Sequence, residues 1–204
     1  MSGKNIYPLT LDRRFSVDLD NLQDWVRYEQ MAKAAGADIV WPGHPRRPMP
    51  KSIKLIVSDF DGVLTDNRVW TDKNGVERVV TWRSDSMRVG DLRKRGIEVI
   101  ILSSEKNPIV RIRAEKMGVE YVQGVDPRGK GKVLKKLLNE KKIDAANVIY
   151  IGNDLNDLPC FKIAGWAVAV ADAYPEVLQE ADHVLERSGG HGALRELCEL
   201  VVDK

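Results

Sequence analysis

Cysteine is nearly missing from this chain: Cys160 and Cys198 are the two in 204 residues. They have no metal-ligand spacing, and each falls in an apolar helical context. Both therefore read as buried free thiols and not as a disulfide or a zinc site. Long apolar runs are missing too. No stretch approaches the ~20 apolar residues that span a bilayer, and the opening segment MSGKNIYPLTLDRR holds no signal-peptide core. No membrane partner is expected, and a reducing cytoplasm is the expected setting. Nor is there an excess of charge of one sign. The 32 Lys and Arg face 30 Asp and Glu, a formal net charge of +2. A dedicated nucleic-acid binder would carry a basic stripe, so nucleic acid is not an expected partner. No internal repeat or low-complexity tract is visible.

What the chain does have is 43% apolar residues, enough for one full domain and an appendage. The division falls near residue 50. Residues 1–50 show little strand pattern and end in WPGHPRRPMP, whose four prolines and one glycine exclude a helix or strand interior, so 41–50 reads as a linker. Before it, NLQDWVRYEQMAKAAG reads as one amphipathic helix, capped by Asn21 or Asp20 and ended by Gly36. From residue 51 the pattern alternates. Strands are expected at 53–58, 98–103, 119–123, 147–152, 166–170 and 183–186. Most are short continuous apolar runs, the mark of strands covered on both faces. Helices are expected between them: Asn107 and Pro108 start one that Gly118 ends, KGKVLKKLLNEKK forms another, Pro175 starts a third, and HGALRELCELVV closes the chain. The fold class is therefore α/β, a Rossmann-like parallel sheet with helices on both faces. Between 69 and 82, VWTDKNGVERVVTW reads as a β-hairpin insert around Asn74-Gly75.

In an open parallel sheet, ligands bind beyond the carboxyl ends of the strands. Four segments deliver polar groups there. Asp59 and Asp61 follow the first strand, in SDFDGVLTDN. Ser103, Ser104 and Glu105 follow the second. Lys130 starts the helix after the third, and Asn153, Asp154 and Asp157 follow VIYIG. These parts suit phosphoryl transfer, which needs charge neutralisation and a positioned nucleophile. Asp59 is the candidate nucleophile and would form an acyl-phosphate. Asp61 would protonate the leaving alcohol and then take a proton from water. Ser103 would hydrogen-bond a phosphoryl oxygen, with Ser104 and Glu105 as further substrate contacts, and Lys130 would offset its charge. Two close carboxylates also call for a cation. With Asp59 and Asp61, Asp154 and either Asn153 or Asp157 would complete a hard oxygen site for Mg²⁺. Each part alone has a plainer reading. Asp-x-Asp after a strand is often a turn or cap, Ser103 a turn residue, Glu105 an acid at a helix N-terminus, Lys130 one lysine of a solvated face, and GNDLND a turn with an N-cap. The order and placement of all four segments favour the chemical reading.

That order resembles the four motifs of the haloacid-dehalogenase superfamily of phosphotransferases over residues 53–202, with DFDGVLTD as the first, Ser103 the second, Lys130 the third and GNDLND the fourth. More narrowly, DGVLTD, SEKNPIVRIRAEKMGVEYVQGV, YIGNDLNDLPC and the tail RSGGHGALRE resemble the small branch without a cap domain. The insert between 62 and 85 leaves no room for one. The resemblance implies a phosphatase for 3-deoxy-octulosonate 8-phosphate or a nine-carbon keto-sugar 9-phosphate. It also implies Mg²⁺ as cofactor, a small-molecule sugar phosphate as partner, and a homotetramer in which a neighbour covers each site. The hairpin carries Val69, Trp70, Val76, Val79, Val80 and Trp82, too much apolar surface for a lone ribbon, and is the expected subunit contact. Arg187 or Arg195 of the glycine-rich tail is a candidate partner for the substrate carboxylate. One departure stands out: the family commonly has GDD where this chain has GND, so Asn153 replaces an acid that is usually a metal ligand. Finally, FSVDLDNLQDWVRYEQMAKAA at 15–35 resembles the closing segment of acylneuraminate cytidylyltransferases, some of which carry a phosphatase-type C-terminal domain. The alternative function is therefore a non-catalytic domain that oligomerises such a transferase. Retention of Asp59, Asp61 and Lys130 favours the enzyme, and no cytidylyl transfer is expected from these 204 residues.

Overall fold

The chain places the apolar run Leu55-Ile56-Val57 at the centre of a sheet, where all three side chains are fully buried. A computed structural model describes residues 46–203. The helix expected at 21–36 and the first half of the linker lie outside the described residues. The strands are β1 (Leu55–Ser58), β4 (Glu98–Leu102), β5 (Glu120–Val122), β6 (Val148–Gly152), β7 (Trp166–Ala169) and β8 (His183–Val184). They form one sheet in the order β5-β4-β1-β6-β7-β8, parallel throughout. Each strand is a residue or two shorter than its apolar run. The chain moves outward from β1 to β4 and β5, then returns to the other side of β1 to begin β6. That reversal opens a crevice at the carboxyl end of β1.

Helices cover both faces. α2 (Ile109–Met117) starts where Asn107 accepts the Ile109 N–H at 3.1 Å, and it ends at Gly118, whose φ of +67° suits a residue without a Cβ. α3 (Lys130–Lys141) buries Leu134 and Leu138, α5 (Pro175–Glu180) starts on its proline, and α6 (Ala193–Val202) buries Leu194, Leu197, Cys198 and Val201. Two helices go beyond the expected set: α1 (Val89–Lys94) and α4 (Leu158–Phe161). α1 buries just Val89 and Leu92 and holds Gly90 inside it, so its pattern is too thin to stand out. No described helix is long and apolar enough to cross a membrane.

Between β1 and α1 there is a hairpin and a 3₁₀ turn (Arg83–Ser86) in place of a cap domain. The ribbon is β2 (Trp70–Thr71) paired antiparallel with β3 (Glu77–Arg78). Its turn differs from the mirror-image type that Asn-Gly favours, because Gly75 has a positive φ and Asn74 does not. The Asp72 carboxylate explains this. It accepts the N–H groups of Asn74 (2.8 Å) and Val76 (3.0 Å) and so organises the loop itself. At the opposite edge of the sheet, Arg47 forms a two-toothed ion pair with buried Asp182. Its Nε lies 3.1 Å from Oδ1 and its Nη2 2.7 Å from Oδ2. Asp182 also accepts the Ala167 N–H, and the Arg47 carbonyl accepts from Trp166 Nε1.

The base of the hairpin is joined to α6 by another buried acid. Asp85 accepts the Arg195 N–H at 3.1 Å through Oδ1, while its Oδ2 has no partner. Burial pushes this carboxyl from the ordinary 3.8 up to about 6, against the Arg195 N–H and the charges of Arg113, Arg187 and Arg195. The folded chain therefore binds this proton more tightly than the unfolded chain. The resulting stability is complete below about pH 4 and is lost as pH rises through about 6. Asp85→Asn removes the effect, so the variant should gain roughly 3 kcal/mol on the parent between pH 4 and pH 7. Urea unfolding of both proteins at four pH values measures this, and a difference that does not change with pH would contradict it.

Candidate active site

Asp59 is the first residue past β1. Its N–H still donates to the Ile151 carbonyl of β6 at 3.0 Å, so the sheet ladder holds its backbone. Its own Oδ1 accepts the Phe60 N–H at 2.7 Å, and its Oδ2 lies 2.8 Å from Lys130 Nζ. The chain then turns tightly, with the N–H groups of Val63, Leu64 and Thr65 all directed at the Phe60 carbonyl. Gly62 makes the turn with φ +77°, and a Cβ there would lie 2.0 Å from Asn153 Nδ2. Any side chain at 62 would thus force the Asn153 side chain out of place. Thr65 Oγ1 accepts the Gly62 N–H (3.2 Å) and donates to Asp61 Oδ1 (3.3 Å), which fixes Asp61 over the same opening. The glycine-rich tail supports this loop from behind. A Cβ on Gly189 would lie 1.9 Å from the Gly62 carbonyl oxygen, and the Gly190 N–H donates to the Val63 carbonyl.

The carboxyl ends of β1, β4 and β6 and the start of α3 enclose one polar cavity of about 170 Å³. Asp59, Asp61, Asn67, Ser103, Ser104, Glu105, Lys130, Asn153, Asp154 and Asn156 line it. Eight of these ten are the expected residues from four separate segments. Asn67 and Asn156 were not anticipated. Asn67 has φ +62°, a strained conformation for a residue with a side chain. Asn156 lies inside GNDLND, where the two neighbouring acids draw attention first. Ser103 Oγ accepts the Glu105 N–H at 3.0 Å, and Glu105 Oε1 in turn accepts the N–H groups of Lys106 and Asn107. Glu105 therefore serves the backbone ahead of α2 and also lines the cavity.

Three expected residues are not in this lining. Asp157 was expected as a possible metal ligand, but both its oxygens are already committed. Oδ1 accepts from Lys130 Nζ (2.9 Å) and Tyr150 Oη (2.8 Å), and Oδ2 accepts the N–H groups of Asn153 (3.0 Å) and Asp154 (3.2 Å). Fully buried, it orders its neighbours and faces away from the opening. Arg187 and Arg195, expected at the substrate carboxylate, bind elsewhere in their own chain. Arg195 pairs with Glu199 at 2.6 Å, and Arg187 donates to the His191 carbonyl at 3.3 Å.

The electrostatics of the cavity call for a cation. Burial, then the charge of Asp157, pushes the Asp59 carboxyl up to about 8 in spite of Lys130. Burial, then Glu105, raises Asp61, with the Thr65 hydroxyl opposing. Burial pulls Lys130 down, but Asp59 and Asp157 more than offset it and the ammonium is held charged. Among the described residues that line the cavity, Lys130 alone is basic. One lysine does not balance Asp59, Asp61 and the nearby Asp157. Asn153 Oδ1 is buried on the cavity with no hydrogen-bond partner, as are Asn156 Oδ1 and Ser104 Oγ. No group of three His, Cys, Asp or Glu among the described residues is arranged to hold an ion unaided. Two carboxylates plus an amide oxygen still form a fitting donor set for a small hard ion that keeps several waters.

A buried Asp-Lys pair at the switch point of a parallel sheet, with a second aspartate two residues on, is the arrangement of a phosphoryl-transfer hydrolase. The model of the haloacid dehalogenase-like hydrolases matches residues 121–197. The 3-deoxy-D-manno-octulosonate 8-phosphate phosphatase KdsC of Escherichia coli K12 is 35% identical over 153 residues, 74% of this chain and 80% of that protein. The crystal structure of the Moraxella catarrhalis phosphatase of the same name, in complex with magnesium ion, phosphate ion and KDO, superposes with a TM-score of 0.70 at 30% identity. That match covers 74% of this chain and 86% of the other. N-acylneuraminate cytidylyltransferase A of Danio rerio is 29% identical over 98% of this chain, which spans 45% of that protein. The chain belongs to the haloacid dehalogenase-like phosphatases, in the family that includes the 3-deoxy-octulosonate 8-phosphate phosphatases.

Proposed function

We propose that the chain is a Mg²⁺-dependent phosphomonoesterase that works through an aspartyl-phosphate on Asp59. Its substrate would be an acidic keto-sugar phosphate, of the octulosonate 8-phosphate or sialic-acid 9-phosphate type. The observation that carries this reading is the 2.8 Å contact between Asp59 Oδ2 and fully buried Lys130, at the floor of a cavity that also holds Asp61. The relatives named for octulosonate 8-phosphate, one of them solved with magnesium, phosphate and KDO, support the substrate class and the metal. The cytidylyltransferase match supports the nine-carbon alternative, and with it a second role as a domain that assembles such a transferase.

In the first step an Asp59 oxygen attacks phosphorus and the bond to the sugar oxygen breaks. Asp61, whose proton affinity burial raises above that of an ordinary carboxylate, gives a proton to the departing oxygen. In the second step water attacks phosphorus, Asp61 takes the water proton, and the Asp59–phosphorus bond breaks. Throughout, Lys130 and the Ser103 hydroxyl hold phosphoryl oxygens. Asp59, Asp61 and the Asn153 amide are the residues that would hold Mg²⁺, with Asp154 beside them in the cavity lining, and the ion would supply charge neutralisation at the phosphoryl group. Asp59→Asn should lower phosphate release at least about a hundredfold without loss of fold, and EDTA should stop the parent reversibly. A screen of phosphorylated sugars with phosphate release as readout tests both. Turnover of Asp59→Asn within tenfold of the parent would remove Asp59 from the nucleophile role.

The hairpin bears on how an uncapped site is closed. Trp70, Val80 and Met87 are 61%, 74% and 66% exposed, and Val69, Val76 and Trp82 are exposed beside them. Two-residue strands cannot hold such a surface in water by themselves. A homotetramer in which a neighbour's hairpin covers each cavity accounts for it. Trp70→Glu should break the assembly and raise KM for the sugar phosphate severalfold while sparing p-nitrophenyl phosphate. A fully active monomer of the parent by light scattering would contradict this.

A further inference from the structure

Tyr150 sits in the middle of β6, paired in register with Val57 of β1 on one side and Ala167 of β7 on the other. It is fully buried, and its ring meets Phe161 edge-on with centroids 6.0 Å apart. Phenylalanine would fill the same space. The hydroxyl is therefore an additional group that must find a partner or carry a desolvation cost. It donates to Asp157 Oδ1 at 2.8 Å, the oxygen that also accepts from Lys130 Nζ at 2.9 Å. The other face of Lys130 Nζ meets Asp59 Oδ2 at 2.8 Å. Four buried groups thus form one line, Tyr150 to Asp157 to Lys130 to Asp59. The far oxygen of Asp157 is clamped by two backbone N–H groups, so its carboxylate cannot rotate.

We infer that Tyr150 is a positioning residue for phosphoryl transfer: its hydroxyl occupies one side of Asp157 Oδ1, so that this oxygen does not draw Lys130 away from Asp59. The inference rests on the roles proposed above for Asp59 and Lys130. Tyr150 does not line the cavity and does not reach a substrate. It acts because two donors share one acceptor. When both are present, each bond to Asp157 is weaker than it would be alone, and the ammonium keeps its stronger hold on the nucleophile. Burial, helped by the charge of Asp157, raises the phenol well above its ordinary range, so the hydroxyl is a donor at every working pH. Removal of the hydroxyl leaves Asp157 Oδ1 to Lys130 alone. The ammonium then shifts toward Asp157, and both the alignment of Asp59 and the charge offered to the phosphoryl group are lost.

Tyr150→Phe tests this. We expect kcat to fall about tenfold, the scale of one hydrogen bond to a charged group, with KM within twofold. The loss should be the same for the sugar phosphate and p-nitrophenyl phosphate, because Lys130 serves the part they share. Phe161→Leu, which disturbs the same packing but keeps the hydroxyl, should lower Tm and leave kcat unchanged. In an Asp157→Asn background, Tyr150→Phe should change kcat less than twofold, since the two act as one unit. If Tyr150→Phe does not fold, Asp157→Asn alone should lower kcat at least tenfold with KM retained, and parental kcat there would overturn the inference. An active parent whose Tyr150→Phe variant keeps kcat within twofold, or loses as much again in the Asp157→Asn background, would overturn the positioning role alone. A parent with no phosphatase turnover would overturn the reading of the site with it.

Discussion

Lys130 brings an ammonium group into a position with no solvent exposure, between Asp59 at 2.8 Å and Asp157 at 2.9 Å. Burying such a charge costs several kcal/mol, and the mutual attraction of the ions repays it only when geometry and hydrogen bonding are good. Both conditions are met by the frame around it. The sheet ladder holds Asp59, backbone N–H groups and Tyr150 hold Asp157, and α3 starts at Lys130 itself, so the lysine enters the site from a fixed helix end. Take the lysine away and two carboxylates face each other in a dry interior. The order of strands, the turn at Gly62 and the path of the fourth motif all serve to bring these three side chains together.

The same frame explains why the cavity remains unbalanced. The lysine neutralises about one of three nearby carboxylates, and burial first, then the neighbouring acids, raises Asp59 and Asp61. A shortage of positive charge would repel a phosphate dianion, and it is a cation drawn to these carboxylates that would remove it. Asn153 in place of an acid moderates that shortage and leaves an amide oxygen open on the cavity wall. The glycine tail has a part here too. Gly189 and Gly190 pack against the backbone of the Asp61 turn, at separations that no side chain permits. The tail thus supports the first motif from within its own chain, which is a different task from contacting a substrate.

Much of this was legible in the residues because the physics is local. A continuous apolar run that ends on Asp59 can be read as a covered strand with its acid at the carboxyl end, and Asn107-Pro108 with Gly118 marks both ends of α2. The segments of the site were legible for the same reason: strand ends in a parallel sheet share one edge. What was not legible depends on which way a side chain turns after the strand ends. Spacing alone does not tell that Asp154 faces the cavity while Asp157 turns inward to Lys130 and Tyr150. It does not tell that Asp72 would take over the hairpin turn from Asn74-Gly75, or that Arg195 would be held by Glu199 along its own helix. The buried Asp85 was hidden because its partner, the Arg195 N–H, lies 110 residues away in sequence.

The proposed role of Asp59, held by Lys130, is to accept phosphorus. The most direct measurement is to quench Asp61→Asn in acid during turnover of p-nitrophenyl phosphate, whose good leaving group needs no acid, and to map the modified peptide by mass spectrometry. The account predicts one phosphoryl group on Asp59, because the variant can still form the acyl-phosphate but breaks it down slowly, and none when Lys130→Met is added. A variant that releases nitrophenol while Asp59 stays unmodified, or that carries the phosphoryl group on another residue, would contradict it.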